Sequence, residues 1–223
     1  MLRSLVSALM QHELRTSFRR VCWVGKWPSL PPETPVVIYA NHHHFYDGHL
    51  IWLLTKKLDR PAITWMDDWD RFPFFAAVGA YPFPHDDPRR RRTTLRQTAR
   101  LFRDRPNTML AYFPEGTLHR PAEGILPFSG DVMQRMGRLF PSAAWWPLAI
   151  NVTWWGDAQP TALMSGGPVS ADPPSEPHTQ LQTLWRALRE TPSEPTHTLL
   201  DGRRSPSEIW SFAFARGFFK RYL

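Results

Sequence analysis

The chain has 223 residues, 42% of them hydrophobic and 13% aromatic, enough for one substantial core and short for two independent domains. Its formal charge is +7, and because Lys26, Lys56, Lys57 and Lys220 are its only lysines, arginine carries nearly all of the positive charge. The balance points to anionic partners, whether phosphate-bearing small molecules, an acidic membrane surface or nucleic acid, and the single cysteine, Cys22, excludes disulfides and cysteine-based zinc sites.

Residues 2–21 place Leu2, Leu5, Val6, Leu9, Met10, Leu14, Phe18 and Val21 at helical spacing beside Arg15, Arg19 and Arg20, which predicts an amphipathic basic helix. Prolines 28, 31 and 32 break it, and the apolar run Val36–Ala40 reads as a strand that delivers Asn41 and a group of histidines. A helix over 48–58, a strand over Ala62–Met66, a helix over 90–105 and a strand over 108–113 follow. A helix over 131–140 and a strand over 145–155 complete a strand-helix-strand cadence. Pro-rich stretches at 168–177 and 192–206, expected on the surface, flank a short helix over 181–190. Residues 209–223 crowd Trp210, Phe212, Phe214, Phe218, Phe219 and Tyr222 beside Arg216, Lys220 and Arg221.

Together these predict a single α/β domain over 1–223 with a mixed, largely parallel central sheet flanked by helices. Within it we expect an N-terminal helical element (1–30), an α/β core (35–166) and a Pro-rich, aromatic helical C-terminal part (167–223). Cys22 reads as a small buried residue.

Two loops are the candidates for chemistry, although the second, taken alone, reads as readily as an ordinary strand-end turn. The first, Asn41-His42-His43-His44-Phe45-Tyr46-Asp47-Gly48-His49, follows the strand directly and separates His42 from Asp47 by five positions. An imidazole whose far nitrogen is held by a carboxylate has a fixed tautomer and a stabilised imidazolium, so it can act as a base near neutral pH. Asp47 could equally cap the next helix. The second loop, Pro114-Glu115-Gly116-Thr117-Leu118-His119-Arg120, offers a carboxylate, a flexible glycine, a hydroxyl and a guanidinium after another strand. Glu115 and Thr117 can bond hydroxyls, Gly116 allows close approach and Arg120 can neutralise phosphate.

In that order, Asn41-His42 with Asp47 and Phe113-Pro114-Glu115-Gly116-Thr117 resemble the glycerolipid acyltransferase family, whose best-known members acylate lysophosphatidic acid. Trp146-Pro147-Leu148-Ala149-Ile150 resembles a third family element, and the similarity covers about residues 35–151. The resemblance implies that His42 deprotonates an acceptor hydroxyl for attack on an acyl thioester while Asp47 orients the imidazole. Glu115, Gly116, Thr117 and Arg120 would shape the acceptor site. It implies no cofactor beyond the donor substrate, an acyl-CoA or acyl-carrier protein. The acceptor would be a lipid, most simply a lysophospholipid such as 1-acylglycerol-3-phosphate.

Three departures bear on that acceptor. His85 stands where the family commonly has a phosphate-contacting arginine, with Arg89 to Arg92 as substitutes or as a solvated helix start. Leu118-His119 replaces a common Arg-Ser pair, and Ser129 replaces a frequent lysine. A non-phosphorylated lipid alcohol or glycolipid is therefore the alternative acceptor. Only His42 has the family's offset to Asp47, so His43, His44 and His49 are assigned packing or polar lining.

The basic N-terminal helix and the aromatic C-terminus read either as interfacial elements on an anionic membrane surface or as covers for the sheet. No run approaches the roughly 18 to 20 apolar residues of a bilayer span, and Arg3, Gln11, His12 and Glu13 come too early for a signal-peptide core. The expected location is peripheral, on the cytoplasmic side of the membrane. A metal-dependent hydrolase using His42, His44, Asp47 and His49 is a remoter alternative whose spacing fits poorly. A nucleic-acid-binding module is another; no recognition motif supports it, and we expect no nucleic-acid partner.

Overall fold

The computed structural model describes residues 1–190 and 194–204. The first apolar stripe forms α1 (Leu2–Ser17), which buries Val6, Met10 and Leu14. At Phe18 the backbone becomes extended and the chain enters β1 (Arg20–Trp23), so the expected helix over 2–21 stops at Ser17. Val21 and Cys22 are fully buried strand residues. Next come β2 (Val36–Ala40), α2 (Asp47–Lys57), β3 (Ala62–Met66) and β4 (Ala80–Pro82). They are followed by α3 (Pro88–Asp104), β5 (Met109–Tyr112), α4 (Gly130–Leu139), β6 (Ala144–Thr153), β7 (Thr161–Gly166), α5 (Pro177–Glu190) and β8 (His197–Asp201).

The eight strands of the described residues join one sheet in the order β4-β3-β5-β2-β6-β7-β1-β8. Its neighbours pair in parallel except β6 with β7 and β1 with β8, which gives the mixed, largely parallel sheet that the sequence predicts. β2 lies in the middle and is buried at all five positions, because helices cover both faces. On one face Leu14 of α1 and Leu50, Ile51, Leu53 and Leu54 of α2 pack against Val36, Ile38 and Ala40. On the other, Phe102 of α3, Met133 and Met136 of α4, and Leu181 and Trp185 of α5 pack against Val37 and Tyr39.

Four strands have no counterpart among the predicted elements. β1 continues the helical apolar stripe without a break in composition. β4 has three residues and ends in Pro82, which an edge strand tolerates because no neighbour needs its missing N–H. Gly79, at φ +103°, turns the chain into β4, where a Cβ would collide with the Ala62 carbonyl oxygen. β7 pairs antiparallel with β6, whose last residue is Thr153 rather than 155, Trp154 being exposed. β8 corrects the expectation that 192–206 only runs over the surface: Leu199 and Leu200 are buried there against the edge of β1. The segments read as an N-terminal helical element and a helical C-terminal part thus each supply a strand to the same sheet. The aromatic stretch over 209–223 lies outside the described residues.

Candidate active site

β2 and β5 run side by side in parallel, and a polar loop leaves each at its C-terminal end. Crevices at that edge are where open α/β sheets bind ligands. Asn41, fully buried, pins the first loop to β6: its Nδ2 donates to the Ile150 carbonyl at 2.9 Å and its Oδ1 accepts the Ile150 N–H at 2.8 Å. The side chain thereby copies one more step of the β2–β6 ladder after the backbone has turned away. The sequence places Asn41 in the motif, but a side chain imitating backbone has no periodicity by which to be recognised.

His42 comes next, with Nδ1 3.1 Å from Asp47 Oδ2. Asp47 opens α2 and its side chain is 1% exposed. The same Oδ2 accepts the His44 N–H at 2.8 Å, and the positive end of the helix dipole supports the carboxylate. Asp47 Oδ1 is buried without a hydrogen-bond partner among the described residues. The His42 ring also stacks on Phe113 at 4.2 Å between centroids. Held by a carboxylate on one edge and an aromatic on one face, the ring carries its proton on Nδ1 and leaves Nε2 for the adjoining cleft.

Of the four histidines between positions 42 and 49, only His42 has its ring hydrogen-bonded to a carboxylate among the described residues. His43 Nδ1 lies 3.1 Å from the Asn41 amide and its Nε2 donates to the Gly124 carbonyl at 2.9 Å. His44 Nδ1 accepts the Tyr46 N–H. His49 is buried among Phe45, Tyr46 and Phe75. Burial lowers the pKa of His43 and of His44 and pushes that of His49 down to about 4, so all three favour the neutral form. The packing and lining roles expected for them fit these contacts.

The second loop is tied to the first through Glu115, whose side chain is 0% exposed. Its Oε1 accepts the His42 backbone N–H at 2.8 Å, and its Oε2 accepts from His119 Nε2 and from the Leu126 N–H, each at 2.6 Å. Both oxygens are thus engaged within the protein, and the carboxylate clamps the His42 loop instead of facing an acceptor. His119 escaped the sequence reading because its spacing to Glu115 acquires meaning only in the folded loop. Gly116 and Thr117 line the cleft beside His42. His85 adjoins them, with Nε2 3.1 Å from the Gly116 carbonyl and its backbone N–H on Asp67. Arg120 is exposed and its N–H is bonded to Glu123. Arg89 is exposed in the first turn of α3, which Asp87 caps. Neither arginine lines the cleft.

The cleft has a volume of about 410 Å³, within the range of small-molecule sites. His42, Gly116 and Thr117 stand in its wall; Trp52, Trp65, Phe72, Phe75 and Val78 give it an apolar lining. Its charged lining residues are Asp67 and Asp68, with no lysine or arginine among the described residues.

The metal-hydrolase alternative needs His42, His44, Asp47 and His49 together, and the fold does not group them. Among the described residues the one constellation of metal-binding type is His43, Glu115 and His119, whose ligand atoms lie within 4.8 Å of one another. There His43 Nε2 already donates to Gly124, and Glu115 Oε2 takes two donors. The donor set is closed by hydrogen bonds and does not fit a cation.

A hydrogen-bonded His–Asp pair set on the sheet edge beside an apolar cleft is an arrangement open to group-transfer chemistry. The chain belongs to the acyltransferase family, whose sequence profile matches residues 24–151, and it is an acyltransferase. In fold it is similar to the crystal structure of the 1-acyl-sn-glycerophosphate (LPA) acyltransferase PlsC from Thermotoga maritima, with a TM-score of 0.54 and 16% identity. That likeness covers 85% of this chain and 81% of the other. No curated protein sequence matches the chain significantly.

Proposed function

We propose that this acyltransferase moves a fatty acyl group from an acyl-CoA or acyl-carrier-protein thioester to a hydroxyl of a lipid acceptor, with His42 as general base. The observation that supports it best is the buried Asp47 carboxylate on His42 Nδ1, which leaves Nε2 in an apolar cleft. The acyl chain lies along the aromatic lining and brings the thioester carbonyl to the mouth. Nε2 takes the hydroxyl proton as the oxygen attacks that carbonyl. The tetrahedral intermediate collapses, the C–S bond breaks, and the imidazolium returns the proton to the departing thiolate. Asp47 stabilises the imidazolium in between, and no covalent acyl-enzyme is needed.

The acceptor proposed is a lysophospholipid such as 1-acylglycerol-3-phosphate, the substrate class of the family's best-known members. A second reading, a non-phosphorylated lipid alcohol or glycolipid, gains support from the cleft itself. Its charged lining residues are carboxylates, and His85 is bonded to Gly116 and Asp67.

The proposed position is peripheral at the membrane; the outward face of α1, where Leu2, Leu5 and Leu9 are more than half exposed, and exposed Phe45 and Leu118 beside the cleft support it. No helix among the described residues is long and apolar enough to cross a membrane. The deciding experiment supplies a labelled palmitoyl thioester with matched phosphorylated and non-phosphorylated lipid alcohols. Transfer to a lipid hydroxyl supports the proposal and identifies the acceptor. Hydrolysis without transfer to any of them refutes it.

A further inference from the structure

The surface of α3 carries a feature that the acyl-transfer chemistry does not use. Arg89, Arg92, Arg96, Arg100 and Arg103 are all exposed. At 3.6 residues per turn the five fall within an arc of roughly 80° and extend over about 21 Å of helix. No acidic residue interrupts them before Asp104. Arg90, off this stripe, is bonded to Asp70, whereas none of Arg89, Arg96, Arg100 and Arg103 makes an ion pair among the described residues. Like charges three and four residues apart repel and weaken a helix, and ordinary solvated helix faces mix signs. A surface of one sign kept at that cost suits a partner of the opposite sign.

The fold says which side that partner approaches from. α3 packs on the face of the sheet that also carries α4 and α5, while α1 and α2 pack on the opposite face. The exposed leucines of α1 and the arginines of α3 therefore belong to opposite layers, and a bilayer met by the first is not met by the second. The N-terminal end of α3 is nevertheless close to the site. Asp87 caps it two residues after His85, which bonds Gly116 at the cleft.

We infer that the arginine face of α3 is a docking surface for an acidic protein, the carrier form of the acyl thioester donor, seated on the solvent side while the thioester reaches the cleft past His85. This rests on the proposed acyl-transfer reading.

The test compares palmitoyl-acyl-carrier protein with palmitoyl-CoA as donors for the wild-type chain and for the double variant Arg96→Glu/Arg100→Glu, whose positions lie outside the cleft. Charge reversal is expected to lower kcat/KM for the carrier-protein donor about tenfold or more while leaving palmitoyl-CoA within about threefold. The wild-type rate with the carrier should also fall steeply between about 50 and 300 mM salt. Equal losses with both donors would assign the stripe to the phosphates of the nucleotide and overturn the inference. So would unchanged carrier kinetics accompanied by lost binding to phosphatidylglycerol vesicles. Activity of the wild type with palmitoyl-CoA alone would overturn docking and leave the acyl-transfer reading standing, whereas inactivity with both donors would refute both. Thermal melting of the variant at the wild-type temperature shows that it folds.

Discussion

Replacing Glu115 by glutamine separates a carboxylate that holds the base from one that binds the acceptor. In the wild type Oε1 receives one donor, the His42 N–H, and Oε2 receives two, His119 Nε2 and the Leu126 N–H. A glutamine offers one oxygen and one NH2, so at least one of these donors must face another donor. The better orientation keeps the oxygen on His119 and Leu126 and strands the His42 N–H. A buried unsatisfied donor costs about 1–3 kcal/mol, and the two remaining bonds lose their charge assistance. We expect a loss of about 2–4 kcal/mol, or a fall in Tm of roughly 4–16 °C at about 2–4 °C per kcal/mol for a chain of this size. Because the stranded group belongs to His42, the imidazole shifts, and a displacement of about 1 Å costs on the order of a hundredfold in rate. Circular dichroism melting and initial rates at saturating substrates give both quantities. A lower Tm with kcat intact would refute the clamp as a positioning device, and unchanged Tm and kcat would refute the bonding itself.

Three further outcomes follow. Asp47→Asn removes the acceptor that fixes the His42 tautomer and should lower kcat by roughly 10²–10⁴-fold with little change in KM, as read from initial rates. His49 binds its proton at about pH 6.5 in the unfolded chain and at about pH 4 in the folded one. The unfolded state thus holds more protons between these values, so stability rises with pH across that window and falls on acidification, by about 3 kcal/mol for this group. Denaturant unfolding from pH 7 to 4 measures it, and His49→Phe should show a shallower slope; an unaltered slope would contradict the assignment. Changing Leu2, Leu5 and Leu9 to serine should reduce co-sedimentation with anionic liposomes without altering Tm, since these side chains face outward. Undiminished binding would exclude α1 as the membrane element.

The central strands and both motif loops were legible because their signals are local. Val36–Ala40 is an unbroken apolar run, and the five-residue offset of His42 from Asp47 survives folding as a hydrogen bond. What escaped depends on tertiary partners. Arg20–Trp23 looks like more helix until β7 and β8 pair with it, and His197–Asp201 looks like loop until β1 supplies its ladder. Glu115 reads as an acceptor ligand because a loop carboxylate usually faces solvent. Its burial depends on His119, the His42 backbone and Leu126 converging from different positions. The cleft escaped for the same reason: its aromatic lining comes from α2, β3 and the turn over Pro73–Val78, each unremarkable as sequence.

The central claim is that His42 Nε2 removes the acceptor proton, and the most direct measurement is the rate of labelled acyl transfer by His42→Ala at saturating donor and acceptor. A fall of about 10²–10⁴-fold at an unchanged Tm is the predicted result. Transfer within about threefold of the wild-type rate would contradict it.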